Sequence, residues 1–114
     1  LDAGLRVYIE YANEIWNSAG GFRCFEVIND IVGALPAGHP LQTPAESSIW
    51  FKMWRYPAYR MALISDIFRA VYGDASMMTR VRPVLMTQQG DGQATLSQAL
   101  TWLDNFGETD DEKK

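Results

Sequence analysis

Glu14 is the residue of this chain best placed to do chemistry. It directly follows Arg6-Val7-Tyr8-Ile9-Glu10, a run that alternates like a strand. Its carboxylate therefore falls where a strand ends and a loop begins. In a barrel of parallel strands that position is the catalytic rim. Carboxylate catalysis of glycosidic cleavage needs two such groups, about 5–9.5 Å apart. Glu10 shares strand parity with Glu14, but four residues of strand separate them by roughly 13 Å. Glu10 fails that spacing and reads as a buried or hydrogen-bonded structural carboxylate. Glu26 and Glu46 fall in a helix and a loop, and Glu108 and Glu112 near the tail. None of these supplies a second carboxylate after a strand.

The aromatic residues suggest a ligand surface. Sugar rings present apolar C–H faces on which aromatic rings stack. Trp16 lies just past Glu14 and could wall such a site, and Trp50 and Trp54 could line a groove. Core packing is the plainer account of Trp50, Trp54 and Trp102. Gln88 and Gln89 end the second strand and could hydrogen-bond a ligand, or simply belong to a polar loop. His39, between Gly38 and Pro40, reads as a surface loop residue. One histidine and one cysteine are too few for a zinc site, so no metal and no cofactor is expected. Cys24 cannot form an internal disulfide and reads as a small buried residue.

The whole chain sets the frame for these residues. Its 114 residues suffice for one small domain, and 47% hydrophobic with 21% charged residues is ordinary for a globular protein. A net charge of -4 with dispersed arginines argues against a nucleic-acid partner. No apolar run approaches the ~20 residues that span a bilayer, so no membrane span is expected. The start at Leu1-Asp2-Ala3-Gly4 reads as the beginning of a piece of a longer protein. The division expected is a folded segment over 1–108 and a charged tail over 109–114.

The elements follow from pattern. Residues 6–12 alternate, with Val7, Ile9 and Tyr11 on one face. Phe22, Phe25, Ile28 and Val32 predict a helix ended by Gly33 and Pro36. Pro36–Ser48 predicts a long irregular loop. Ile49–Tyr56 predicts a short helix, and Pro57 the first turn of the next. Met61, Ile64, Phe68 and Val71 form that helix's apolar stripe, and Gly73 stops it. Val81–Gln88 predicts a second strand covered on both faces, with Pro83 at its beginning. Thr95 and Gln98 predict a capping box that starts the last helix. Leu96, Ala99, Leu100, Leu103 and Phe106 would be its buried face, closed by Gly107. Strand, helices, strand, helix is a β-α-β-α order, which makes the strands parallel.

Val7, Tyr8, Glu10, Tyr11, Asn13, Glu14, Trp16 and Asn17 together read Val-Tyr-x-Glu-Tyr-x-Asn-Glu-x-Trp-Asn. This pattern resembles the acid/base signature of clan A glycoside hydrolases, most closely bacterial cellulose-binding or glycosidase-like proteins. The resemblance covers most of residues 5–106, with strong motif identity confined to 7–17. It implies an α/β fold, a segment of a (β/α)8 TIM barrel at about strands four and five. It implies Glu14 as acid/base, Asn13 as a hydrogen-bond partner of the sugar 2-hydroxyl, and Trp16 and Asn17 as substrate contacts. The nucleophile would close strand seven, outside this chain, so the chain alone would not turn over. The partner implied is an oligo- or polysaccharide, and the setting secreted. The alternative on the same scaffold is a non-catalytic carbohydrate-binding or cell-surface protein. A further reading is a small independent α/β interaction domain, which would melt cooperatively.

Overall fold

The computed structural model describes residues 2, 4–17, 21, 23–42, 49–88 and 92–106. In chain order the elements are β1 (Val7–Glu10), α1 (Cys24–Gly33), α2 (Ile49–Tyr72), a 3-10 turn (Asp74–Ser76), β2 (Val81–Val84) and α3 (Gly92–Phe106). β1 and β2 pair in parallel, with Val7 opposite Val81 and Glu10 opposite Val84.

Of the alternating residues 6–12 only Val7–Glu10 form β1, in which Val7 and Ile9 are half-buried and Tyr8 and Glu10 exposed. Glu10 is thus a solvent-facing residue, not an interior carboxylate. α1 forms because Ile28 and Val32, four residues apart, meet the core, while Val27 and Ile31 remain exposed. Gln42 ties down its end by donating from its side-chain amide to the carbonyls of Val32, in the last turn, and Leu35, just beyond it. Cys24, expected to be buried, is exposed at the start of α1. Residues 34–42 form the irregular connection that the prolines predict, anchored by the fully buried Leu41. Phe22 and residues 43–48 lie outside the described residues.

α2 differs from the sequence reading. One 24-residue helix contains Pro57 in its interior rather than starting at it. Interior proline removes a hydrogen bond and crowds the preceding turn, at about 3 kcal/mol or more. Burial around it offsets that cost: Met53, Trp54, Tyr56, Pro57 and Ala58 are all buried, each large apolar side chain contributing about 1.5–3 kcal/mol. Gly73 does end the helix, with φ 79 and its N–H on the Arg69 carbonyl at 2.8 Å.

β2 is also shorter than the apolar run suggests. Only Val81–Val84 pair, and Pro83 is the third residue, opposite Ile9. Proline is tolerated there because β2 is an edge strand. Met86 leaves the sheet and enters the core. α3 begins three residues before Thr95, which is buried and shares a 2.8 Å hydrogen bond with the Thr87 hydroxyl. The Gln98 side-chain Oε1 accepts from the Arg55 guanidinium at 3.1 Å, so the expected capping box is replaced by two tertiary hydrogen bonds. Ala99 and Trp102 are buried, whereas Leu100 is exposed.

The expected α/β barrel segment is therefore corrected. The chain is a small helix-rich domain, with helices of 10, 24 and 15 residues against two strands of four. Its main buried cluster is Ile15, Ile28, Val32, Leu41, Met53, Tyr56, Ala58, Met86, Ala99 and Trp102, and of the two strands only Val81 is fully buried. A barrel builds its core on the strands; here helices and loops supply most of it.

Candidate functional site

Residues 11–17 leave β1 and turn back into the domain. Glu14 has φ 50, the left-handed region, which costs a non-glycine residue roughly 1–2 kcal/mol. The turn holds it there. The Asn17 N–H donates to the Glu14 carbonyl at 2.9 Å, and the Asn17 side-chain amide to the Glu14 carboxylate at 3.4 Å. Reversal drives Ile15 into the core at 2% exposure and lays Trp16 on Trp54 at 5.6 Å between ring centroids. Asn13 and Glu14 face solvent. The apolar enclosure that a general acid requires is absent around Glu14.

Tyr11 meets Tyr56 edge-on at 6.0 Å, and the Arg60 guanidinium lies over the Tyr11 ring at 5.5 Å. Burial, with Tyr56 beside it, pushes the Tyr11 hydroxyl above its ordinary pKa. Tyr59 continues the aromatic cluster to His39, Tyr56 and Trp102. His39 is thus half-buried and accepts the Leu41 N–H at 3.1 Å, rather than standing free on a loop. Arg55 lies over Phe51 at 5.5 Å, and burial lowers its pKa from the ordinary arginine value.

The candidate residues are thus divided among several places. Glu14 and Asn17 share the turn, and Trp16 and Trp54 stack on one another. Trp50 packs on Phe25 at 4.9 Å and is about half exposed. Gln88 is half-buried beyond β2, and Gln89 lies outside the described residues. Among the described residues no three His, Cys, Asp or Glu side chains gather as a metal site. No described helix is long and apolar enough to cross a membrane.

Comparison with known proteins points away from the sugar enzymes. The chain is similar to protein TraE of Escherichia coli. In strain K12 the two are 37% identical over 60 residues, which is 52% of this chain and 28% of that protein. A second Escherichia coli protein TraE gives the same figures. The chain thus spans well under a third of the relatives it matches. No family model matches it, and no solved structure does. The resemblance to clan A glycoside hydrolases is overturned, and with it glycoside hydrolysis and carbohydrate binding as the function. The roles of Glu14 and Asn13 entered through that resemblance. The geometry gives the motif a visible task of its own, a turn that pins Ile15 and Trp16 to the helices.

A different surface stands out. Along α2, Met53 and Tyr56 are buried, but Leu63, Ile67 and Val71 on the same side are 37%, 62% and 70% exposed. The helical stripe Met61, Ile64, Phe68 and Val71 captured the packed side only in part, since Val71 faces solvent. Leu63 and Ile67 were the missed signal: α2 carries more apolar residues than one buried face needs. A second apolar feature, a groove of about 230 Å3, lies among Ala58, Met61, Pro83, Leu85, Leu100 and Leu103.

Proposed function

We propose that this chain is a protein-interaction domain that works by docking the exposed side of α2 against another polypeptide. The observation that carries the reading is the stripe Leu63, Ile67 and Val71. It continues the side of the helix that is buried at Met53 and Tyr56. Contiguous apolar surface of this kind marks interaction sites. The sheet supports the reading as well. Among the described residues, two parallel strands with one isolated bridge from Met77 to Val81 form a sheet smaller than parallel sheets normally are. The name of the relatives states no activity, so the reading rests on the surface alone.

The test is gel filtration of a lysate from cells of the native host that express the tagged chain. With the tagged chain abundant and the lysate loaded concentrated, the wild-type chain is expected to travel in an assembly larger than its own 12.9 kDa. Ile67→Asp is expected to move it to the monomer position with its melting temperature unchanged. An elution volume identical for the two proteins would overturn the reading.

A further inference from the structure

Resting on that reading, we propose that the polypeptide docked on α2 is a second copy of this chain, packed antiparallel with Ile67 on the two-fold axis. Leu63, Ile67 and Val71 are four residues apart, so they lie on one side of the helix in neighbouring turns. In an antiparallel pair centred on Ile67, Leu63 faces the partner's Val71 and Ile67 faces the partner's Ile67. The stripe is therefore self-complementary, as a two-fold interface requires.

Charge favours the same register. Arg60 lies seven residues before Ile67, and Asp74 seven after it, where the 3-10 turn begins. Arg60 is half-buried: its guanidinium sits over the Tyr11 ring, and its Nε is buried with no hydrogen-bond partner among the described residues. Among the described residues no carboxylate pairs with it. At the other end Arg69 is shared by two carboxylates, Asp66 at 2.7 Å and Asp74 at 2.8 Å. That trio carries one net negative charge, and the Asp74 side chain is 85% exposed. Antiparallel packing about Ile67 brings each positive Arg60 end to a negative Asp74 end. Parallel packing would oppose like charges. The stripe is narrow beside the ~800 Å2 per partner of a stable specific interface, so the dimer is weak and concentration-dependent.

Cysteine crosslinking in a Cys24→Ser background tests the register, because Cys24 is exposed and free. Under mild oxidation Ile67→Cys is expected to give a disulfide-linked dimer. Leu63→Cys and Val71→Cys are expected to crosslink at least fivefold better when mixed than either does alone. Arg60→Glu introduced with Ile67→Cys should lower the dimer yield at least fivefold, and Asp74→Arg added to it should restore the yield. A monomeric Ile67→Cys protein would overturn the proposal. So would stronger crosslinking of Leu63→Cys with itself than with Val71→Cys, or a charge swap that restores nothing. If the crosslinks fail while Ile67→Asp still shrinks the assembly in lysate, the partner is a different protein and the interaction reading stands. If both fail, both are wrong.

Discussion

At the scale of single residues, the turn at 13–17 decides how this sequence is read. The same Asn-Glu-Ile-Trp-Asn letters that suggest a catalytic rim also specify a chain reversal. Glu14 takes the left-handed conformation, Asn17 bonds back to it, and Ile15 fills the core. Glu14→Gly should relieve backbone strain while losing one exposed hydrogen bond. The expected change is at most about 1 kcal/mol in either direction, read by urea denaturation; a larger loss would mean that the carboxylate supports the fold in another way. Ile15→Ala should cost about 2–5 kcal/mol, because it empties a fully buried site. Tyr11 makes a pH prediction. Its folded pKa is raised by burial and by Tyr56, so above about pH 10 the unfolded chain releases this proton more readily than the folded one. Stability should therefore be full below pH 10 and fall as the pH rises beyond it. Tyr11→Phe should flatten part of that fall, as measured by denaturation at pH 9 to 11.

At the scale of elements, what was legible depended on whether the cause was local. The alternation of Val7 and Ile9, the Ile28–Val32 spacing and the Gly73 stop are local, and each appears in the structure. Pro57 was misplaced because its cost is offset by tertiary burial, which no local rule contains. β2 was read too long because an apolar run such as Val84-Leu85-Met86 looks the same whether it stays in a sheet or drops into a helical core. Thr95 and Gln98 have the letters of a cap but are used for contacts with Thr87 and Arg55. Gly73 allows a clean test. A Cβ there would meet nothing within 4 Å, yet φ is 79. Gly73→Ala should therefore cost about 1–2 kcal/mol from conformation alone. A neutral result would show that the end of α2 relaxes freely.

At the scale of the whole molecule, the family signature misled because eleven residues were asked to speak for 114. The described residues give three helices around a core built mostly by helices and loops, two short strands and an apolar stripe left in solvent. That stripe was not legible, since an apolar residue on a helix is expected to be buried until the neighbours that would cover it can be located. α2 is about 36 Å long and α1 about 15 Å at 1.5 Å per residue, so a helix as short as α1 cannot cover the whole of α2. Contact at the stripe is the most direct check of the account. A photo-crosslinking amino acid placed at position 67, with exposed Asp104 as the control position, would be irradiated in cells of the native host. The account predicts a discrete adduct at 67 and none at 104. Equal labelling at the two positions, or none at either, would contradict it.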